Sequence, residues 1–509
     1  MNTRNNIKGL LIVFCAMFVV LSIYLVYTVD QYGTRWFASP YNTRLNAQKN
    51  NVIAGDILDR NGEVLATTDS DGDRMYIDDS SIRRATSHVV GDNYGQTFGA
   101  ENFFSKYLLG FDQSIFERIT GALSGKPVIG SDVVLTIDSK LSDAAYDAMN
   151  DYRGAVVVMN YKTGEILASV SQPTFDPKYV QEYLNGDREL DESAMVNRVT
   201  SGRYTPGSVF KVVTALAAIR YLPGVTERTF TCDGPLAFDE KTGKYLPGVH
   251  LALNESGQTE TEQPEGGEAE AQEDQAGMLQ GYRVVRDYND EYHGELDLKT
   301  AFAKSCNHVF ALLAMELGAD RLARVAKEVG IGEDALFDDM VTATGSFEKA
   351  SSDVNLAWSG VGQYTDIETP LHMCLLAASV ANDGIMMQPK LLKEVRSAMG
   401  IATHQLTTET ERKAMSAAEA QILAGFMTET VESGTGTRAA VSGVTVAGKT
   451  GTAEVSSGEA APNAWFIGFV EEEEHPLAIC VVLEKGGSGG RNAAPIASRV
   501  LEKAIDLGY

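Results

Sequence analysis

An uncharged apolar run near the N-terminus constrains this chain most. Gly9 to Val29, "GLLIVFCAMFVVLSIYLVYTV", contains 21 residues and no charged side chain. A helix needs about 20 such residues to cross the hydrocarbon core of a bilayer. A cleaved secretory signal is the alternative, but its apolar part is usually about 7 to 15 residues long and ends at a small-x-small cleavage site, which is missing here. We therefore expect an uncleaved transmembrane anchor.

Charges at the two ends of this run predict its orientation. Arg4 and Lys8 precede it, and Asp30 follows it. Because positive flanking residues favour the cytoplasmic side, we expect a short cytoplasmic tail and a large region outside. No second apolar stretch approaches spanning length, so the sequence predicts a single-pass protein of the cell membrane.

Composition excludes several classes of protein. The chain has 509 residues, 44% of them apolar, which suffices for one large core and at least one smaller domain. Its formal net charge of −26 would repel nucleic acid and anionic lipid surfaces. The five cysteines show neither metal-ligand spacing nor a framework of pairs. We therefore expect no nucleic-acid partner and no metal, with Cys306, Cys374 and Cys480 as small buried residues.

Patterns along the chain predict three parts and an α+β fold. The three parts are a tail and anchor at 1–30, a small pedestal domain at 31–130 and a large domain at 131–509. A hairpin is expected around Asn61 and Gly62 in the pedestal. In the large domain, helices alternate with strands that pair around short turns, as expected for an antiparallel sheet flanked by helices. Residues 233–283 include an acidic stretch rich in Gln and Gly, which predicts a disordered insertion.

Ser208 and Lys211, in "SVFK", stand three residues apart on a predicted helix. Thr205 is a candidate N-cap and Pro206 a candidate first helical residue. The spacing places both side chains on one face, where the lysine can take the serine proton if burial or nearby positive charge lowers its pKa. A second S-x-x-K, Ser346 to Lys349, lacks the Thr-Pro-Gly lead and the apolar helix behind it, and we expect it at the surface.

Ser305 and Asn307, in "KSCNHVFALLA", form a second polar pair. A hydroxyl two residues from an amide can supply both a proton relay and a hydrogen-bond donor for a substrate carbonyl. The alternative is that the two residues cap the following helix. Taken alone, the pair favours that alternative.

Lys449 has two interpretations. G-V-T-V-A-G-K-T, from Gly443, satisfies the phosphate-loop pattern G-x-x-x-x-G-K-[ST], whereas Lys449 to Gly451 spells K-T-G. The triplet alone is not specific, because K-T-G also occurs at Lys162 and Lys241. Against a phosphate loop, the β-branched residues from Val444 to Val446 favour a strand, and no helical pattern follows the lysine.

The motifs S-x-x-K, S-x-N and K-T-G occur in the order found in penicillin-interacting serine enzymes. The chain resembles a class B penicillin-binding protein, the monofunctional D,D-transpeptidase type. The segments "AGDILDRNGEVLATT", "GAVVVMNYKTGEILASVSQPTFDP", "RYTPGSVFKVVTALAAI", "HGELDLKTAFAKSCN", "GVGQYTDIETPLHMCLLAASVANDG" and "VAGKTGTAE" carry the resemblance. It covers nearly all of the chain except the acidic insertion, and it implies a penicillin-binding transpeptidase fold.

The resemblance also implies a mechanism. It assigns catalytic roles to Ser208, Lys211, Ser305 and Lys449, and substrate binding to Asn307, Thr450, Gly451 and Thr452. Ser208 would attack the carbonyl between the last two D-alanines of a peptidoglycan stem peptide, with Lys211 as its base. Ser305 would relay the proton to the leaving D-alanine. The backbone N–H groups of Ser208 and Thr452 would form an oxyanion hole.

The implied partners are stem peptides, β-lactam inhibitors and a membrane glycan polymerase, with no nucleotide, metal or cofactor. A D,D-carboxypeptidase or a β-lactamase-type hydrolase remains an alternative, since both share the acylation step and differ in using water as acceptor. A non-catalytic scaffold or β-lactam sensor is an alternative from another class. The anchor and the predicted pedestal favour wall assembly over a hydrolase, and the presence of all motif residues needed for turnover argues against a scaffold or sensor.

Overall fold

One long helix opens the structure, which is a computed structural model. It describes residues 3–37, 52–113, 128–249, 251–253, 259–261, 278–279, 282–287, 291–334, 337–454 and 461–509. Helix α1 spans Thr3–Phe37, and its segment Ile7–Thr28 is long and apolar enough to cross a membrane. Among the helices of these ranges, no other is long and apolar enough to cross a membrane. The predicted apolar span is therefore a single continuous helix.

A six-stranded sheet follows the anchor. Its strands lie in the order Ala402–Gln405, Leu392–Arg396, Asp132–Leu135, Ile57–Leu58, Val64–Thr68 and Arg74–Tyr76. The hairpin predicted around Asn61 and Gly62 is confirmed, because Ile57 pairs with Ala66 in an antiparallel register and Gly62 has a φ of 90°. Strands from before and after residue 131 share this sheet, so the predicted pedestal and large domain are joined by strand pairing.

A five-stranded antiparallel sheet forms the centre of the large part. Its strands are β1 Gly154–Asn160, β2 Ile166–Gln172, β3 Val446–Ala453, β4 Asn463–Val470 and β5 Leu477–Leu483, in the spatial order β3-β4-β5-β1-β2. Strand β3 therefore lies at an edge. Alternate residues of β1 enter different cores: Val156 and Val158 pack into one, and Val157 and Met159 into the other. This period of two is the signature of a strand buried on both faces.

Helices cover both faces of the central sheet. They are α2 Ser139–Met149, α3 Lys211–Tyr221, α4 Leu298–Ala303, α5 Asn307–Leu317, α6 Ala319–Glu328, α7 Asp353–Gly360, α8 Pro370–Ala381, α9 Ala417–Glu432 and α10 Ala494–Asp506. Leu141 of α2 and Val500 of α10 pack in the same core as Val156, whereas Leu375 of α8 packs in the core of Val157. The predicted α+β arrangement is thus confirmed.

Short α-helices and strands connect these larger elements. The helices are Ser80–Ala85, Ser87–Val90, Ala100–Phe103, Ser105–Leu108, Val180–Asn185 and Arg198–Ser201. The strands are Val52–Ile53, Val128–Ile129, Thr229–Cys232, Leu236–Asp239, Leu251–Leu253, Thr259–Thr261, Met278–Leu279, Tyr282–Val285, Gly294–Asp297, Ile385–Met387 and Thr410–Lys413. Among these strands, Thr229–Cys232 pairs with Gly294–Asp297, and Leu236–Asp239 pairs with Tyr282–Val285. Both pairs are antiparallel.

The predicted disordered insertion has ordered ends. Within 233–283, Phe238 is fully buried and the strand Leu236–Asp239 pairs with Tyr282–Val285. The sequence prediction therefore set the insertion too wide, since apolar residues at its base pack into the domain. Most of its acidic middle, at 254–258 and 262–277, lies outside the described residues.

The three K-T-G triplets occupy three different settings. Lys162 to Gly164 form the turn between β1 and β2, as predicted. Lys241 to Gly243 form a turn after Leu236–Asp239, in which the Asp239 carboxylate accepts hydrogen bonds from Thr242. Lys449 to Gly451 lie inside strand β3. A strand continues past the lysine where a phosphate loop needs a helix, so the phosphate-loop interpretation fails.

Candidate active site

Ser208 lies on a tight helical turn that leads into α3. Residues Gly207–Phe210 form a 3-10 turn, and the α-helix begins at Lys211. The predicted cap at Thr205 is wrong: the turn has no side-chain cap, and the Thr205 carbonyl accepts a hydrogen bond of 3.1 Å from Trp465 Nε1. Tertiary packing against β4 thus sets the start of this helix in place of a local cap.

Two glycines allow the Ser208 turn to approach strand β3. Gly207 has a φ of 56°, and a Cβ there would lie 2.8 Å from the Thr452 carbonyl oxygen. A Cβ on Gly451 would lie 3.0 Å from the Pro206 carbonyl oxygen. The K-T-G glycine therefore provides space for the turn that carries Ser208.

Lys211 is fully buried and joins two of the predicted motifs. Its Nζ atom donates hydrogen bonds to the Ser305 carbonyl oxygen, to Ser305 Oγ at 3.2 Å and to Asn307 Oδ1 at 2.6 Å. Burial lowers the pKa of Lys211 to about 8, although the nearby Asp287 carboxylate opposes the shift. Such an amine is mostly protonated at neutral pH, but its neutral fraction is far larger than that of an ordinary lysine, and this fraction can accept a proton.

The loop Ser305 to Asn307 is held in an unusual conformation. Ser305 has a φ of 63°, which is uncommon for a residue other than glycine and typical of functional sites. The N-cap of α5 is Cys306, and the Asn307 amide donates to the Arg286 carbonyl oxygen at 2.7 Å. The capping alternative is thus wrong for Ser305 and Asn307, because the side chain between them caps the helix.

Lys449 is fully buried in strand β3. Its Nζ atom donates to the Thr450 carbonyl oxygen at 3.0 Å and lies 5.5 Å from the centre of the Phe302 ring. Burial, and then the charge of Lys211, hold the pKa of Lys449 well below its usual range. The neighbouring hydroxyl, Thr450 Oγ1, lies 2.5 Å from Thr435 Oγ1.

A cleft of about 650 Å³ collects most of the predicted residues. Ser208, Ser305, Asn307, Thr450 and Thr452 line it, while Lys211 and Lys449 are buried. The Thr452 carbonyl oxygen accepts a hydrogen bond of 3.2 Å from Gln363 Nε2. Further lining residues that the sequence did not single out include Arg286, Trp358, Gln363, Thr435, Arg438 and Arg491. These six come from separate loops and helices, and of the six only Gln363 lies in a segment whose resemblance was noted.

Comparison with known proteins identifies the family of this chain. The profile of the penicillin binding protein transpeptidase domain matches residues 154–234 and 268–502, which is more than half of the chain. The chain belongs to this family. The resemblance drawn from the motifs is therefore confirmed, and the interval between the two matched ranges falls in the predicted insertion.

Relatives and solved structures agree with this membership. The peptidoglycan D,D-transpeptidase PbpA of Mycolicibacterium smegmatis is 30% identical over 502 residues, covering 92% of this chain and 93% of the relative. Penicillin-binding protein A of Mycobacterium tuberculosis was solved as a ceftriaxone acyl-enzyme complex. It is 26% identical with a TM-score of 0.74, and the match covers 91% of this chain and 100% of that chain. The D,D-transpeptidase domain of an Eggerthella lenta peptidoglycan glycosyltransferase is 28% identical with a TM-score of 0.71, covering 90% and 99%.

Proposed function

We propose that this chain cross-links peptidoglycan stem peptides by serine acyl transfer and that β-lactams inhibit it by acylating the same serine. The observation that carries the proposal is that the buried Lys211 is hydrogen-bonded to Ser305 and Asn307, which line the same cleft as Ser208. Family membership and the D,D-transpeptidase relatives support the reaction type.

In the acylation step, Ser208 Oγ attacks the carbonyl between the last two D-alanines. The neutral amine of Lys211 takes the serine proton, the new ester bond forms, and the peptide bond to the last D-alanine breaks. Ser305 Oγ, a hydrogen-bond partner of Lys211 Nζ, relays this proton from Lys211 to the departing amine. The backbone N–H groups of Ser208 and Thr452 stabilise the oxyanion, at about 3 kcal/mol per donor.

The K-T-G strand binds the substrate's terminal carboxylate in this proposal. The hydroxyls of Thr450 and Thr452 line the cleft and provide donors. Burial opposes a charge on Lys449, but an entering carboxylate favours the protonated form. Gly451 lets strand β3 pack closely against the turn that carries Ser208. Asn307 holds the substrate amide.

An amine from a neighbouring stem peptide then attacks the acyl ester and completes the cross-link. A D,D-carboxypeptidase or β-lactamase would use water at this step, and a sensor would stop at the acyl-enzyme. The long N-terminal helix favours wall assembly over a freely diffusing hydrolase.

We also propose the placement of the chain in the cell. Arg4 and Lys8 before the apolar segment and Asp30 after it favour a cytoplasmic N-terminus, a single span of the cell membrane and a catalytic domain outside. Residues 31–130 would then act as a pedestal for the transpeptidase domain at 131–509. A membrane glycan polymerase would supply the strands that are cross-linked.

Labelling with a fluorescent penicillin, followed by mass spectrometry of the labelled peptide, tests the acylation step. We expect label on Ser208, none on a Ser208→Ala variant, and unchanged labelling of a Ser346→Ala variant, in which the second S-x-x-K is altered. Label that persists on Ser208→Ala would overturn the assignment. Incorporation of a D-amino acid into a stem peptide, in place of simple release of D-alanine, distinguishes the transpeptidase from a hydrolase.

A further inference from the structure

Two arginine side chains lie beside strand β3 in the wall of the catalytic cleft. Arg438 belongs to the turn Thr437–Ala439, and Arg491 belongs to the helical turn Gly489–Ala493 that precedes α10. Both residues line the cleft and are exposed. Arg438 Nη1 donates a hydrogen bond of 3.5 Å to the Arg491 carbonyl oxygen, so the two turns contact each other there.

Residues next to both arginines pack against the third motif. Thr435, three residues before Arg438, places its Oγ1 atom 2.5 Å from Thr450 Oγ1. A Cβ on Gly490, the residue before Arg491, would lie 3.8 Å from Thr450 Cγ2. The two arginines therefore border the part of the cleft in which the hydroxyl of Thr450 is proposed to bind the substrate's terminal carboxylate.

The charge of the two arginines is not neutralised by a neighbour. Neither forms an ion pair with a carboxylate of the described residues. Other arginines, such as Arg198 and Arg220, pair with glutamates, as expected in a chain with 69 acidic and 43 basic side chains. Two guanidinium groups without carboxylates make this end of the cleft positive, and a planar guanidinium is suited to bind a carboxylate.

The leaving group and the acceptor of the proposed reaction use the same part of the cleft. The departing D-alanine carries its amine and its carboxylate on one carbon. Attack by the acceptor amine is the reverse of that departure, so the same groups guide both steps. We propose that Arg438 and Arg491 select an acceptor whose reacting amine and a carboxylate share one carbon. This inference rests on the proposed transpeptidase function.

The arginines act on the position of the acceptor and not on its protons. The amine nitrogen attacks the ester carbonyl carbon of the acylated Ser208, a new amide bond forms, and the bond from that carbon to Ser208 Oγ breaks. The amine loses one proton through Ser305 to Lys211, which are hydrogen-bonded, and this proton returns to Ser208 Oγ. No other reactant is needed. The guanidinium groups hold the acceptor's carboxylate so that its nitrogen faces the ester.

An acceptor without this carboxylate should react more slowly. A site that is built to hydrogen-bond one group discriminates against an analogue that lacks it. Each charged hydrogen bond of this kind should contribute about tenfold to the preference. Because both side chains are exposed, salt screens their charges, and the preference should decrease as the ionic strength rises.

Binding of the donor's terminal carboxylate alone is the competing role of these arginines. That carboxylate departs with D-alanine, so arginines that served only the donor would change the rate of acylation. They would leave the acceptor step as it is. The two roles therefore differ in the step that responds to substitution.

Partition of the acyl-enzyme between amines and water tests the acceptor step. The full chain, purified in detergent, is acylated with a thioester analogue of the donor, and the ratio of amide to hydrolysed product is measured per concentration of neutral amine. We expect D-alanine to be used about 10- to 100-fold better than D-alaninamide. Glycine should be used better than β-alanine, whose carboxylate lies one carbon further from the amine. Equal use within either pair would overturn the proposal.

Variants of the two arginines connect this preference to the structure. Arg438→Gln and Arg491→Gln should each lower the preference for D-alanine over D-alaninamide about tenfold. Arg438→Lys and Arg491→Lys should retain part of it, because they keep the charge but lose the planar group. Arg188→Gln is the matched control, since Arg188 is exposed and pairs with Glu182 outside the cleft. An unchanged preference in both glutamine variants would assign the arginines to the donor alone and overturn the proposal.

Failure of this inference and failure of the proposed function give different results. The partition ratio does not depend on how fast the acyl-enzyme forms, and mass spectrometry of the intact chain shows whether Ser208 carries the acyl group. A chain that is never acylated would overturn both proposals. An acylated Ser208 that reacts with amines regardless of their carboxylate would overturn only the selection of the acceptor.

Discussion

The Nζ atom of Lys211 lies 2.6 Å from the Oδ1 atom of Asn307, and this hydrogen bond joins the S-x-x-K and S-x-N motifs. The same Nζ atom donates to Ser305 Oγ at 3.2 Å. One buried amine thus orients both polar residues of the second motif. Its protonation state should control the reaction of Ser208.

Acylation should depend on pH through Lys211. Its pKa of about 8 means that the amine is mostly protonated at lower pH and cannot accept the Ser208 proton. The second-order rate of penicillin acylation should therefore fall about tenfold per pH unit below 8 and level off above it. Stopped-flow labelling across this range checks the profile, and a rate that is flat from pH 6 to 8 would contradict Lys211 as the base.

A methyl group on Gly451 should disturb the site through packing. Its Cβ would lie 3.0 Å from the Pro206 carbonyl oxygen and 3.1 Å from Val209 Cγ1, so β3 must move away from the Ser208 turn. We expect Gly451→Ala to lower stability by about 1 to 3 kcal/mol and to slow acylation. Thermal melting and penicillin labelling measure the two effects.

Gly425 provides the matched control. It lies in helix α9, and a Cβ there would meet nothing within 4 Å. Gly425→Ala should therefore be neutral or stabilise the chain by up to about 1 kcal/mol, with an unchanged acylation rate. Equal effects of the two substitutions would show that crowding at β3 is not the cause of the lower stability and slower acylation.

Removal of Glu255 to Gln275 should leave folding and labelling intact. The segment is acidic and contains few large apolar residues, and shortening a flexible loop changes its closure free energy by only about 0.6 kcal/mol per twofold change in length. The strand pair at the base of the insertion is retained. A large fall in melting temperature would contradict this prediction.

Phe238→Ala tests the ordered base of the same insertion. Phe238 is fully buried and packs against Tyr245. Its truncation should cost about 3 to 5 kcal/mol of unfolding free energy. Chemical denaturation would measure this, and a loss below about 1 kcal/mol would show that the base contributes little to the domain.

Motif order predicted which residues the fold brings together better than local helix signals predicted the start of α3. Ser208, Lys211, Ser305 and Lys449 were placed by the order of three motifs, because the fold that joins them is shared by a family. The cap at Thr205 failed because Trp465, distant in sequence, binds its carbonyl. The positions of Arg438 and Arg491 in the cleft could not be predicted, since only the fold brings these residues beside the three motifs.

Separate substitutions of the three K-T-G lysines should distinguish their roles. Lys449 is fully buried in β3, whereas Lys162 and Lys241 lie in turns between strands. Lys449→Ala should slow acylation at Ser208 by about 10² to 10³, the effect of removing one preorganised electrostatic contact. Lys162→Ala and Lys241→Ala should change the rate less than about twofold, since surface substitutions rarely exceed about 0.5 kcal/mol.

Folding and nucleotide binding provide the controls for this series. All three variants should keep the circular dichroism spectrum of the unmodified chain, so that a lower rate reports lost chemistry and not lost structure. ATP should neither bind nor protect Ser208, because Lys449 lies in a strand with no helix after it. If Lys162→Ala or Lys241→Ala slowed acylation as much as Lys449→Ala, the assignment of the third motif to β3 would be wrong.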